Sequence, residues 1–103
     1  MPKIRKTDVF KKWIKKLNDF IAKAHINRRI DRLERGNPGD IKYIGENCTE
    51  MRIDYGPGYR VYYKQTGKEI IILCGGDKST QQDDIYKAKN LASEEEEEDN
   101  ENK

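Results

Sequence analysis

Hydrophobic residues in the first third of the chain recur at the spacing of two amphipathic helices. The apolar stripes consist of Phe10, Trp13, Ile14 and Leu17 in the first helix and of Ile26, Ile30 and Leu33 in the second. The first helix is predicted over residues 7–18, with Thr7 or Asp8 as its cap, and Asp19 can cap the second helix. The segment 36–39, which is rich in glycine and proline, ends the second helix. The pattern leaves open whether the two helices form a hairpin or one bent rod.

The middle of the chain follows the two-residue alternation of half-buried strands. Apolar and polar residues alternate in residues 50–55 and again in residues 59–64. Between these runs lies the turn signal Gly56-Pro57-Gly58. The continuous apolar run 70–74 predicts a central strand that is covered on both faces, and Lys3 to Lys6 could form a short edge strand.

A last helix and an acidic tail complete the predicted architecture. Gly75-Gly76 ends the central strand, and Ser79 or Thr80 opens the helix as part of a capping box. The buried stripe of this helix consists of Ile85, Ala88 and Ala92. Residues 93–103 are predicted to be a disordered acidic tail, because they cannot bury apolar surface. The order helix, helix, three antiparallel strands, helix predicts one α+β domain over residues 1–92, with helices packed against one sheet.

Composition and charge narrow the class of protein. The chain has 103 residues, of which 34% are hydrophobic and 39% charged, so one small domain is expected. Without the tail, Lys and Arg exceed Asp and Glu by about eight, which favours a polyanionic partner such as nucleic acid, a ribosome or an acidic protein. No apolar run approaches the roughly 20 residues of a membrane span, and no signal peptide opens the chain. We therefore expect a cytoplasmic protein whose cysteines, Cys48 and Cys74, are reduced.

The strongest local clue to function is a pair of arginines on the predicted hairpin. If Gly56-Pro57-Gly58 is a three-residue loop, Arg52 and Arg60 are diagonal neighbours on one sheet face, together with Tyr62 and Lys64. The cross-strand pairs would be Tyr55–Tyr59, Asp54–Arg60 and Arg52–Tyr62. A two-residue loop would place the two arginines on opposite faces. Guanidinium groups beside an aromatic ring make a plausible site for phosphates and bases, and an ordinary solvated face is the alternative.

Two further basic features lie outside the hairpin. Lys78 stands between the central strand and the last helix, where a helix N-terminus attracts anions, although an ordinary strand-to-helix turn is the better explanation of this segment taken alone. The first helix carries a basic face made of Lys11, Lys12, Lys15 and Lys16. Such a face is usually only solvated, but it could also track phosphates. With one histidine and two separated cysteines, the sequence offers neither a zinc site nor a Ser–His–Asp set, and we expect no metal and no cofactor.

Several of these segments together carry a family resemblance. They are Phe10–Leu17, Arg28–Leu33, Gly36–Asp40, Met51–Tyr63 and Leu73–Gln81. They resemble the RelE/ParE superfamily of bacterial toxins, in particular its HigB-like branch, also called addiction module killer proteins (phage Gp49-like). The run Arg-Ile-x-x-Gly-Pro-Gly-Tyr-Arg-Val-Tyr, followed by Gly-Gly-Asp-Lys-Ser, is specific to this branch. The resemblance covers residues 4–92 and excludes the acidic tail.

The resemblance implies a compact toxin with a RelE-like fold, in which an N-terminal helical hairpin packs on a curved antiparallel sheet that also carries a C-terminal helix. Family members are neutralised by a helix-turn-helix antitoxin, here a HigA-like one. Many members enter the ribosomal A site and cut mRNA. The implied function is a ribosome-dependent endoribonuclease toxin of a type II toxin–antitoxin system that inhibits translation.

The resemblance also assigns roles to individual residues. Arg60 matches the sheet arginine that stabilises the scissile phosphate, and Lys78 stands where the family has a basic residue after the last strand. Arg52 lies on the preceding strand, where basic residues recur, and Tyr86 falls near an aromatic residue that some members use. Either Tyr86 or Tyr62 could stack on a base. The histidine found in some HigB-type sites has no counterpart here.

Two other functions remain open at this stage. One is a ParE-like toxin that inhibits DNA gyrase by binding, and the other is an inactive relic that only binds its antitoxin. The acidic tail could fold back over the face of Arg52 and Arg60 and temper activity, whereas a merely solubilising tail is the alternative.

Overall fold

A five-stranded mixed sheet forms the centre of this α+β fold, with helices on both of its faces. The computed structural model describes residues 2–101, and their side chains as far as residue 95. Along the chain the elements are β1 (Lys3–Lys6), α1 (Asp8–Lys16), α2 (Phe20–Glu34), β2 (Ile41–Gly45), β3 (Cys48–Ile53), β4 (Tyr59–Gln65), β5 (Glu69–Gly76), a short 3-10 helix (Lys78–Thr80) and α3 (Gln81–Glu101).

The strands are ordered β1-β5-β4-β3-β2 across the sheet. Strands β2 to β5 are antiparallel neighbours, and β1 pairs parallel with β5. The predicted antiparallel set β3-β4-β5 and the predicted edge strand β1 are both confirmed. Strand β2 was not predicted. Ile41, Lys42 and Tyr43 are all exposed, so this edge strand has no alternation of buried and exposed positions to reveal it.

Side-chain caps begin the first two helices where the sequence predicts them. The Thr7 hydroxyl accepts a hydrogen bond from the backbone N–H of Phe10, and it donates one to the carbonyl of Leu73 at 2.6 Å. Thr7 therefore caps α1 and also joins it to β5. The Asp19 carboxylate accepts from two backbone N–H groups of α2, each at 3.0 Å. Helix α2 stops at Glu34, just before Gly36, which has a φ of +88°.

The two sheet faces carry separate cores. Helices α1 and α2 cover one face, where Phe10, Ile26 and Ile30 pack with buried residues of β3, β4 and β5. Helix α3 covers the other face, where Ala88 and Ala92 pack with buried residues of the same three strands. The central strand β5 contributes to both cores, as its unbroken apolar run predicts. A register irregularity between Tyr62 and Tyr63 of β4 locally shifts its pairing with β5.

The start of α3 differs in detail from the prediction. The cap is Asp77, whose side chain accepts from the backbone N–H of Ser79 at 2.8 Å, and Thr80 completes the capping box. The sequence instead predicted Ser79 or Thr80 as the cap. One turn of 3-10 helix precedes α3, so the α-helical residues begin at Gln81.

The end of α3 also differs from the prediction. The sequence predicts a disordered tail from residue 93, whereas α3 continues through this segment to Glu101. Glutamate is a good helix former, and Ala92 packs the preceding turn onto the sheet. Glu95 also forms an ion pair with Arg5 of β1 at 2.5 Å. The last two residues of the predicted tail lie outside the described part of the chain. None of the helices described is both long and apolar enough to cross a membrane.

Adjacent glycines let α1 and α3 approach the end of β5 from opposite sides. A Cβ at Gly75 would lie 2.4 Å from the ring of Trp13, and a Cβ at Gly76 would lie 1.8 Å from the Asp84 carboxylate. Any side chain at these positions would push a helix away from the sheet. The double glycine therefore serves close packing as well as ending the strand.

We expect Gly75→Ala to destabilise the fold by about 2 kcal/mol, because the added methyl overpacks the contact with Trp13. Gly67→Ala is the matched control, since its Cβ would meet nothing within 4 Å. Urea unfolding of both variants measures the difference. Equal stability of the two variants would contradict this account of β5.

Candidate functional site

Arg52 and Arg60 lie directly opposite each other on the hairpin formed by β3 and β4. The prediction that they share a face is confirmed, but the predicted diagonal arrangement is wrong. The last cross-strand pair is Ile53 with Tyr59, so the loop spans residues 54–58 and is longer than the predicted three residues. The predicted pairings of Asp54 with Arg60 and of Arg52 with Tyr62 are therefore wrong as well.

The longer loop has a physical cause in Tyr55. Its ring stacks on His25 of α2 with centroids 4.7 Å apart, and its hydroxyl donates to the Asp19 carboxylate at 3.2 Å. These contacts hold Tyr55 against α2, so Tyr55 does not pair with a residue of β4. Gly56 and Gly58 then close the loop with φ values of +57° and +80°. His25 is accordingly a helix-packing residue.

A buried glutamate, Glu50, lies between the two arginines. Its Oε1 accepts from Nε of Arg52 at 3.1 Å, and its Oε2 lies 3.8 Å from Nε of Arg60. Oε2 also accepts from the Tyr62 hydroxyl at 3.0 Å and from the Gln81 side-chain amide at 2.9 Å. Glu50 is fully buried, and β3, β4 and α3 all contribute to holding its carboxylate.

Electrostatics explains why a carboxylate is needed at this place. Two like charges directly opposite on a sheet repel each other, and the negative charge of Glu50 offsets that repulsion. Burial alone would raise the pKa of Glu50, but hydrogen bonds from Gln81, Arg52 and Tyr62 and the charge of Arg60 outweigh it. The pKa of Glu50 therefore lies below its ordinary value, and the group is ionised at neutral pH.

The backbone of Arg52 is fixed from the opposite side of the sheet by Arg29 of α2. The Arg29 guanidinium donates to the carbonyl of Arg52 and, at 2.9 Å, to the carbonyl of Pro38. The backbone N–H of Arg52 in turn donates to the carbonyl of Asp40 at 2.9 Å. Gly39 leaves room for this arrangement, because a Cβ there would lie 2.8 Å from an Arg29 nitrogen. Burial lowers the pKa of Arg29.

Lys78 adjoins the same site through the hairpin loop. Arg60 Nη1 donates to the carbonyl of Gly58 at 2.6 Å. A Cβ at Gly58 would lie 3.0 Å from that Nη1 and 3.6 Å from Cβ of Lys78. The exposed Lys78 therefore lies beside Arg60, as a shared site requires. A shallow cavity of about 250 Å³ opens at Arg52 and Arg60, and Asp40 and Asp54 also line it.

The structure excludes Tyr62 and Lys64 from direct contact with RNA, so their assignment as RNA-binding residues is wrong. Tyr62 is completely buried beneath α3, and its hydroxyl is used by Glu50. Lys64 is 3% exposed, and its ammonium donates to the carbonyl of Ala92 at 3.4 Å. The sequence places both residues correctly on the face of Arg52 and Arg60, but it does not reveal that α3 covers this part of the face.

The remaining candidate residues are exposed but lie apart from the arginines. Tyr86 is 71% exposed on the outside of α3, beside an open groove. The basic face of α1 is exposed to solvent at Lys11, Lys12, Lys15 and Lys16. That helix packs on the sheet face opposite to the arginine pair. Within residues 2–95, no hydrogen bond, ion pair or ring contact joins Tyr86 or these lysines to Arg52 or Arg60.

The cysteines lie under α3 and away from solvent. Cys48 and Cys74 are both buried in the core on that side. Burial raises the pKa of Cys74 to about 12, which keeps its thiol protonated at neutral pH. No group of three or more His, Cys, Asp or Glu side chains in the described part of the chain is placed to hold a metal ion.

Sequence reasoning missed Glu50 and Gln81, which complete the site. Glu50 was recognised only as a polar position that alternates with Met51 and Ile53. Glu50 lies two residues before Arg52 on the same strand, so the alternation of strand residues already places it on the face of Arg52 and Arg60. That spacing could have identified it. Gln81 carried no such signal, because its contact with Glu50 depends on how α3 crosses the sheet.

Comparisons with known proteins give a relative similar in sequence and a solved structure of similar fold. No family model matches the chain. An uncharacterized protein of Haemophilus influenzae is 55% identical over 92 residues, which cover 88% of this chain and 93% of that protein. A solution structure of the conserved hypothetical protein HP0894 from Helicobacter pylori is 20% identical, with a TM-score of 0.49, and the match covers 77% of this chain and 97% of that one.

The hydrogen bonds to Glu50 and the charge of Arg60 predict a pH-dependent stability. Because its pKa in the folded protein lies below the ordinary value of 4.5, its contribution is present above that pH and is lost as the pH falls through the folded pKa. We expect Glu50→Gln to lower the free energy of unfolding by about 3 kcal/mol at pH 6.5 and by less at pH 3. Urea unfolding at the two pH values measures this.

Glu69→Gln is the matched control for that experiment. Glu69 also pairs with an arginine, Arg5, but at 3.3 Å and in a more exposed position. We expect its replacement to cost under about 1 kcal/mol. A gap between wild type and Glu50→Gln that is the same at both pH values would contradict the ionised state assigned to Glu50.

Proposed function

The chain belongs to one family with this Haemophilus influenzae protein, and we propose that it is the toxin of a type II toxin–antitoxin system, a ribosome-dependent endoribonuclease that cuts mRNA. The observation that carries the proposal is the arginine pair, Arg52 and Arg60, held side by side at an open cavity with Lys78 next to it. Two guanidinium groups and an ammonium group form a site suited to the phosphates of a nucleic acid backbone.

The chemistry of RNA cleavage fits these residue types. The 2′-hydroxyl of RNA can attack the adjacent phosphorus, which forms a 2′,3′-cyclic phosphate and breaks the bond to the 5′-oxygen. The 2′-oxygen gives up its proton to water, and the leaving 5′-oxygen takes one from water. The enzyme has to orient this attack and stabilise the negative charge that builds up on the phosphate. Fixed cations can do both without a histidine. We propose that Arg60 and Lys78 clamp the scissile phosphate and that the more exposed Arg52 holds a neighbouring one.

Tyr86 and the α1 lysines complete the proposed RNA surface. Tyr86 is exposed and free to stack on a base. Lys11, Lys12, Lys15 and Lys16 would contact phosphates of the mRNA or the ribosome away from the cleavage site, a sequence-independent contribution that weakens with salt. The proposed place of action is the cytoplasm, and the proposed inhibitor is a HigA-like helix-turn-helix antitoxin.

The proposed fold type is the RelE-like one. Helices α1 and α2 follow each other with only residues 17–19 between them and pack on the same sheet face. This arrangement supports an N-terminal helical hairpin. The antiparallel strands β2 to β5 would form the curved sheet that carries the site.

A translation reaction programmed with one mRNA and read by primer extension tests the nuclease directly. We expect the wild type to produce cuts on translated message only. Arg60→Ala and Lys78→Ala should each reduce cleavage about 100-fold, because each removes a cation that stabilises the transition state. Arg28→Ala is the control, since Arg28 is exposed on α2, on the opposite face of the sheet, and full cleavage is expected.

Two outcomes would contradict the proposal. Undiminished cleavage by Arg60→Ala would exclude the assigned site. Absence of cuts with the wild type would exclude the nuclease, and a gyrase supercoiling assay on the same preparation would then distinguish a ParE-like gyrase inhibitor from a relic that only binds its antitoxin.

A further inference from the structure

We infer that Glu50 is a positioning residue, whose carboxylate holds the guanidinium groups of Arg52 and Arg60 side by side so that they bind a nucleic acid backbone as one two-point clamp. The inference rests on the proposed function only for the nature of the ligand, a chain of phosphodiesters. Nothing in it requires that Glu50 touch the RNA or exchange a proton with it.

In each arginine, the nitrogen that faces Glu50 differs from the nitrogens that could bind a phosphate. Glu50 faces each arginine through the inner nitrogen, Nε. Its Oε1 accepts a hydrogen bond from Arg52 at 3.1 Å, whereas its Oε2 forms an ion pair with Arg60 at 3.8 Å, too long for a hydrogen bond. One terminal nitrogen of Arg60 is used by the carbonyl of Gly58. In residues 2–95, no group binds either terminal nitrogen of Arg52 or Nη2 of Arg60. These outer nitrogens, on directly opposed residues, are the ones available to phosphate oxygens.

Glu50 is itself fixed, as a positioning residue must be. The Tyr62 hydroxyl on β4 and the Gln81 amide on α3 both donate to its Oε2. Helix α3 packs on β4, and this packing keeps the two donors close together. Tyr62 and Glu50 are also fully buried. The carboxylate therefore cannot move with the ligand. A change in α3 that moved Gln81 would be transmitted to both arginines through Glu50.

A positioning role and a purely electrostatic role of Glu50 predict opposite changes in RNA affinity when Glu50 is replaced by a neutral residue. Removing a negative charge beside two arginines makes the site more positive, and electrostatics alone then strengthens the binding of an anion. If Glu50 positions the arginines, its neutral replacement releases Arg52 and leaves Arg60 held only through the Gly58 carbonyl. Binding then weakens despite the gain in charge. A binding measurement on Glu50→Gln thus separates the two cases by the direction of the change.

The probe is a short RNA oligonucleotide with 2′-O-methyl groups, which cannot be cleaved by its own hydroxyls. Binding to the full chain is followed by NMR, using the Nε–H signals of the arginines. We expect Glu50→Gln to bind about tenfold more weakly than the wild type, the scale found when a residue that orients a binding group is lost. The Nε–H signals of Arg52 and Arg60 should broaden or shift in the free variant.

Glu69→Gln is the matched control, because it removes the same charge beside a different arginine, Arg5. It should bind like the wild type. Tyr62→Phe deletes one hydrogen bond to Glu50 without changing any charge, and should weaken binding about threefold. This variant carries the test if Glu50→Gln does not fold, as checked by circular dichroism and thermal melting.

Equal or tighter binding by folded Glu50→Gln, with unchanged arginine signals, would overturn the inference. If Glu50→Gln does not fold, wild-type binding by Tyr62→Phe would overturn it. So would a wild type that does not bind the probe at all. A different result would contradict the nuclease proposal alone: the wild type binds the probe but makes no cuts on translated mRNA. Because the probe cannot be cut, the comparison of Glu50→Gln with Glu69→Gln remains decisive in that case.

Discussion

The structure depends on a charged group that the protein keeps out of water. Glu50 lies buried between Arg52 and Arg60, and Tyr62 and Gln81 donate hydrogen bonds to its Oε2, the oxygen that faces Arg60. A buried carboxylate is tolerated only where such partners surround it. The Glu50 carboxylate therefore keeps its partners only with the observed register of β3 with β4 and the observed position of α3 on the sheet. The same constraint produces a fixed pair of cations beside the open cavity.

Local patterns predicted most of the fold. The caps Thr7 and Asp19 and the apolar run of β5 each depend on neighbours in the sequence, and each is found in the structure. Strand β2 escaped prediction because it is an exposed edge, held by backbone pairing with β3 and not by burial. The helical end of α3 was not predicted, because composition shows only how much apolar surface a segment can bury. It does not show how far a helix that is already packed on the sheet extends into the following residues.

The candidate site was predictable only in part. That Arg52 and Arg60 share a face follows from the two-residue period of strands, and a register error of two residues leaves that conclusion intact. The burial of Tyr62 and Lys64 could not be predicted in the same way, because it depends on the path of α3 across the sheet. The path of α3 depends in turn on Gly76, where the absence of a side chain lets Asp84 approach the strand.

The most direct test of the account is a crystal structure of the protein with a bound 2′-O-methyl RNA oligonucleotide. The account predicts phosphate oxygens within hydrogen-bond distance of the terminal nitrogens of both Arg52 and Arg60, with Glu50 still between their Nε atoms and Lys78 turned toward one phosphate. RNA bound along the α1 lysines, with the arginine pair unoccupied, would contradict it.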